Sequence, residues 1–195
     1  MPAKIKSDKA LVAEAARIGG GPAHRAIDAA IDSTDPDLRV AAAASTEKTF
    51  YTREMLVELL KRTKDKADEM RLAAFKGLGT SSNYRHPEAQ DALIRLARTK
   101  SLPVADRVAA VEGLGRTVKL MLPGNFEDKL IVWTLVMLLD DDELKVREAA
   151  FASMKDGVKE TYDYKPDLPT AERKASTAKW KNWCAKVAGP LEGKP

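Results

Sequence analysis

A chain of 195 residues with 33 basic and 29 acidic side chains carries a formal net charge of +4. So slight an excess gives no general argument for binding nucleic acid or an anionic membrane, and the length suits one domain with a substantial core. The single cysteine, Cys184, excludes an internal disulfide framework and any multi-cysteine metal site, and no run approaches the roughly 18 apolar residues of a membrane span.

The first stretch is basic but has no apolar segment before Asp8 and Lys9, which argues against a secretory signal. A cytoplasmic location is therefore expected, with an extracytoplasmic one as the alternative if a leader was removed before residue 1. Ser7 or Asp8 caps a first helix to Ile18, where Gly19, Gly20, Gly21 and Pro22 stop it. Pro22 suits the first turn of a second helix carrying Ile27, Ala30 and Ile31 on one side. Asp35 and Pro36 open a third. Thr52 caps a fourth, in which Met55, Leu56, Leu59 and Leu60 form an apolar stripe.

Residues Lys66–Leu78 read as a helix ended by Gly79, and His86-Pro87 starts another with Leu93, Ile94, Leu96 and Ala97 inward. The next begins at Pro103 and ends at Gly115 or a turn later. Phe126–Leu139 is the most apolar helix, and Glu143–Val158 follows an acidic turn. Longer loops are expected at Leu120–Asn125 and Thr161–Thr170. A closing helix at 171–187 precedes a Gly/Pro tail at 188–195 that should fray. No segment alternates long enough to need a sheet.

One phrase recurs along these helices. RVAAAAST begins at Arg39, RLAAFKGLG at Arg71, RVAAVEGLG at Arg107 and REAAFASMK at Arg147, with a truncated LVAEAARIG at Leu11. The arginines are 32, 36 and 40 residues apart, the range for stacked helix hairpins. After each arginine come two alanines in register, at 41 and 42, 73 and 74, 109 and 110, and 149 and 150. A small residue follows at the sixth place: Ser45, Gly77, Gly113 and Ser153. Small side chains let two helix backbones approach, while Phe75, Val111 and Phe151 at the fourth place fill the space to the next repeat.

The stretch from Asp140 to Ala150 closely resembles the turn and second-helix start of a HEAT repeat, and the stretch from Asp32 to Ala42 reads the same way. The resemblance implies an all-α, right-handed superhelix of about five HEAT-like helix pairs, one repeat domain spanning the chain. It also implies a ladder of ion pairs between repeats through Asp32, Arg39, Asp140 and Arg147, with an acid seven residues before each arginine. Lys64 and Lys100 hold that place before Arg71 and Arg107, so in those two copies the ladder must use Asp65, Asp68 or Asp106, or be absent. The segment Lys179–Trp183 is similar to the tryptophan-rich closing helix of many bacterial HEAT-like proteins. Such proteins are usually non-catalytic adaptors.

What the resemblance implies is a protein-binding scaffold working through the concave face of the second helices, with no reaction and no cofactor. Lys76, Glu112, Arg116 and Lys155 are the candidate contacts by their place in the repeat, and their mixed signs suit a protein surface. Trp180 and Trp183 are further candidates on the closing helix, where Ser176, Trp180, Trp183, Cys184 and Val187 share one side and lysines fill the rest. The reading placed first for that helix is a terminal cap that shows charge to water, ahead of a basic amphipathic surface for anionic lipid or an acidic partner groove. Nucleic acid is the second-ranked partner, through Arg53, Lys61, Arg62, Lys64 and Lys66. HEAT-like solenoids also include DNA-alkylation glycosylases and bilin lyases, but the convergent acids and aromatic groups those would need are not evident. His24 and His86 have no ligand partner at helical spacing, no phosphate loop is present, and the acids Asp140–Glu143 suit a helix start.

Overall fold

The computed structural model describes residues 9–46, 52–83, 86–119, 129–155 and 161–190. The Ser7 or Asp8 cap, the Leu120–Asn125 loop, the Phe126 start, the Val158 end and the last five residues of the tail lie outside them. The described residues form ten α-helices and no strand. These are α1 (Lys9–Ile18), α2 (Gly21–Ile31), α3 (Pro36–Ser45), α4 (Arg53–Arg62) and α5 (Asp68–Asn83), followed by α6 (Pro87–Arg98), α7 (Val104–Lys119), α8 (Lys129–Leu138), α9 (Leu144–Lys155) and α10 (Thr170–Ala188).

Local chemistry explains most boundaries. Gly19 and Gly20 take positive φ values of 70° and 84° after α1, a conformation that side-chain-bearing residues rarely adopt. The Asp35 side chain accepts the amides of Asp37 and Leu38 ahead of α3, and the Thr52 hydroxyl accepts that of Met55 at 3.2 Å ahead of α4. The expected stop at Gly79 is not a stop. Helix α5 runs on to Asn83, with Gly79 buried in its interior.

The chain divides into two compact units, Met1–Ala92 and Leu93–Pro195, with the division inside α6. In the first unit α2 pairs with α3 and α4 with α5. Helix α2 lies against α4, and the phrase-bearing helices α1, α3 and α5 stack in order. The truncated phrase at Leu11 thus lies on a helix that stacks as the other phrase-bearing helices do. Val12, Ile27, Ile31, Leu38, Met55, Leu59, Met70, Phe75 and Leu78 form the core of this unit. In the second unit α8 pairs with α9 and lies against α10, while α7 packs closely on α9. Leu114, Ile131, Leu135, Val136, Met154 and Trp180 are buried there. Each hairpin alone exposes an apolar face, and stacking like helix on like helix covers it.

The repeated arginines fasten the hairpin turns. Arg39 Nη1 donates to the carbonyls of Ser33 and Thr34, Arg71 Nη1 to those of Asp65 and Lys66, and Arg147 Nη1 to those of Asp141 and Asp142. In all three turns the side chain six residues before the arginine (Ser33, Asp65 or Asp141) accepts a backbone amide two residues on. In the fourth copy that amide would belong to Pro103, which has none. Arg107 turns elsewhere: its Nε donates to the carbonyl of Ala97, and its guanidinium grips the Asp141 carboxylate with both terminal nitrogens.

The acids assigned to the ladder do not fill that place: the turn-closing side chain stands one residue later, as Ser33 and as Asp141. Asp140 pairs with Arg173 at 3.0 Å and Asp32 with Arg62 at 2.6 Å, and neither meets a repeated arginine. Asp141 bridges two hairpins, because its carboxylate both closes its own turn and faces Arg107. Arg71 reaches the Asp68 carboxylate at 2.6 Å as well as its turn carbonyls.

Of the tail, only its first residues are described. Gly189 caps α10 with a φ of 77°, and its carbonyl accepts the indole N–H of Trp133 at 3.0 Å, so the chain is pinned beyond the helix end.

Candidate functional site

On the second helices of the Leu93–Pro195 unit, α7 and α9 come nearly into backbone contact. A Cβ placed on Gly115 would sit 2.6 Å from Ser153 Cβ and 3.2 Å from Ser153 Cα, closer than side chains tolerate. Ser153 keeps its hydroxyl satisfied by donating to the Ala149 carbonyl at 2.8 Å. The small residues that permit this approach also leave a surface groove of about 330 Å³, lined by Glu112, Gly115, Arg116, Ala149, Ala152 and Ser153. Glu112 and Arg116 stand one turn apart on α7, an acid followed by a cation at the favourable spacing and orientation. The result is a small-residue floor with one bank carrying both signs of charge.

Of the six candidate contacts, this groove brings together Glu112 and Arg116. Lys155 is exposed at the end of α9 and is not among the lining residues, and Lys76 is exposed on α5 in the Met1–Ala92 unit. Trp180 is fully buried (0% exposed), so it is unable to touch a partner, whereas Trp183 is half-buried. The buried face of α10 consists of Ser176, Thr177, Trp180, Cys184 and Ala188. Val187, expected on that face, is exposed because it lies one residue off the covered stripe. In the sequence the alanines and Ser153 look like packing alone, although the same small side chains open the groove.

Reactive groups are otherwise engaged. Burial pushes the Cys184 thiol up to about 12, so it stays protonated, and it raises the Tyr164 phenol, whose hydroxyl donates to the Leu139 carbonyl at 2.5 Å. Three acids of the turn before α9 are each matched by a cation: Asp140 by Arg173, Asp141 by Arg107 and Asp142 by Lys100. Lys100 beside it holds the Asp142 carboxyl below its usual range. Among the described residues no group of three or more His, Cys, Asp or Glu side chains could hold a metal ion. Among them, too, no helix is long and apolar enough to cross a membrane.

A second groove, of about 280 Å³, lies on α4 in the first unit, lined by Arg53, Glu54, Val57 and Glu58. The carboxyl of Asp28, on the neighbouring α2, is raised, first by burial and then by Glu54 and Glu58, against the lowering effects of the Thr52 hydroxyl and His24. Its Oδ1 is buried without a hydrogen-bond partner. An acid whose folded value exceeds its unfolded one opposes folding when charged. Stability in this unit should therefore rise as pH falls from neutral through that raised value, and the gain is complete below the ordinary carboxylate range. Asp28→Asn is expected to stabilise the chain at pH 7 by up to about 1 kcal/mol and to flatten its melting temperature over the mildly acidic range. Thermal melts of both proteins across that range check this, and an unchanged pH profile would contradict it.

The chain matches no protein-family model and no curated protein.

Proposed function

We propose that this is a HEAT-like repeat protein whose role is to bind another protein, without catalysis, through the face formed by its phrase-bearing helices α7 and α9. The observation that carries this reading is the α7–α9 groove, with its small-residue floor and a bank holding both Glu112 and Arg116. A floor of glycine, alanine and serine admits the side chains or backbone of a polypeptide segment, and charges of both signs set its register. The buried, protonated Cys184 and the cation-matched turn acids supply neither nucleophile nor base, which favours binding over chemistry. A single buried thiol also suits a reducing, cytoplasmic setting.

The nucleic-acid alternative draws less support. Three of its five cations already face acids of the chain: Arg53 lies 3.6 Å from Glu88, Lys61 contacts Glu58, and Arg62 contacts both Asp32 and Asp65. A photo-crosslinking residue at Ala152, an exposed position on the groove, should capture a protein from extracts of the source cells. The adduct should survive nuclease and disappear in Arg116→Glu. Crosslinks only to nucleic acid, or a protein adduct indifferent to Arg116→Glu, would remove the groove from consideration.

A further inference from the structure

The outer face of α10 carries a charge pattern that the packing of its inner face does not explain. Its inner face is committed: Ser176, Thr177, Trp180, Cys184 and Ala188 are buried against the second unit. Outward, Ala171, Ala175, Ala178, Asn182 and Ala185 follow one another at spacings of four, three, four and three. The first four of these are exposed and Ala185 is half-buried. That alternation is the spacing of a heptad seam, here filled by small residues. The positions flanking such a seam hold Lys174 and Lys181 on one side, and Glu172, Lys179 and Lys186 on the other. All four lysines are exposed, and among the described residues none is engaged in an ion pair.

We propose that this face docks an acidic amphipathic helix of a partner protein. The partner's larger apolar side chains would rest on the alanine shelf, and its glutamates would meet the two rails of lysine. The charge pattern selects the occupant. Flanking positions of a two-helix seam set partner choice through charge, and four lysines against one glutamate call for carboxylates opposite. A second copy of this chain would set lysine against lysine, which repels. An anionic membrane finds no apolar face to insert, since the tryptophan side of α10 is already buried. Half-buried Trp183, one turn from both Lys179 and Lys186, lies at the edge of this face. The proposal does not rest on the α7–α9 groove.

The test uses the full chain and a labelled acidic peptide about three heptads long, with leucine in the seam and glutamate beside it. Fluorescence anisotropy should show saturable binding. A scrambled peptide of the same composition should bind at least about tenfold more weakly, as should the original peptide to the Lys174→Glu, Lys181→Glu double variant. Ala178→Arg, which obstructs the shelf without removing a lysine, should abolish the binding. Thermal melts of both variants matching the parent keep the result a statement about the surface. Equal affinity for the scrambled peptide, for duplex DNA or for phosphatidylserine vesicles would overturn the proposal in favour of a general polyanion surface. Absence of binding to any of these would overturn it as well.

Discussion

Replacing Arg107 with alanine should lower the stability of the Leu93–Pro195 unit by about 3–5 kcal/mol, the usual loss when one member of a buried ion pair is removed. The side chains of Arg107 and Asp141 are only 3% and 4% exposed, so the orphaned carboxylate would stay in a poorly solvated site. It would keep one donor, the Glu143 amide at 3.0 Å, which is too few for a charged carboxylate away from water. The Ala97 carbonyl would lose its Arg107 donor at the same time. Arg71→Ala is the natural comparison, because its partner Asp68 is 76% exposed; a loss of about 1 kcal/mol is expected there. All three tryptophans, Trp133, Trp180 and Trp183, lie in the second unit, so chemical unfolding followed by indole fluorescence reads the Arg107 variant directly. The Arg71 variant lies in the other unit and needs circular dichroism. Replacing the pair together, Arg107→Met with Asp141→Leu, should recover much of the loss, since the cost lies in the unmatched charge. A loss below about 1 kcal/mol in Arg107→Ala would mean that this pair is hydrated in solution.

That ion pair also marks where sequence reasoning stopped. The phrase register led to the stacking of α1, α3 and α5 and of α7 on α9, because small residues at a constant offset leave few other ways to pack helices. Asp35 and Thr52 were legible as caps because a cap is chemistry within a few residues of the chain. The turn acid was not. Whether the sixth or the seventh residue before an arginine faces the neighbouring hairpin depends on turn geometry, and Asp140 and Asp141 are both aspartate. Gly79 misled for a similar reason. A glycine stops a helix where the backbone must turn left-handed, as at Gly19, but it continues one where a neighbour presses in, as Gly115 does against Ser153. The groove stayed hidden because alanine and serine that allow close packing look identical to alanine and serine that leave space.

Trp180 supplies the clearest test of what the closing helix does. It is fully buried, in edge contact with Phe151, Tyr162 and Trp183 at centroid distances of 6.4, 5.3 and 5.5 Å. Trp180→Ala should therefore destabilise the second unit by about 3–5 kcal/mol, through the area lost and the cavity left among those rings. A residue that served only as a partner contact would leave the melting curve in place. The indole also brings a cost of its own, because its buried Nε1 has no hydrogen-bond acceptor. Trp180→Phe removes that orphan donor while keeping most of the aromatic bulk, and should lose less than about 1.5 kcal/mol. The two substitutions together separate packing from polarity: a large loss in alanine with a small one in phenylalanine identifies a cap held by ring volume. Equal, large losses would instead mean that the indole N–H finds an acceptor in solution. Trp183→Ala, at the half-buried edge, should cost less than Trp180→Ala, so that the order of the melting temperatures traces the inner and outer faces of α10.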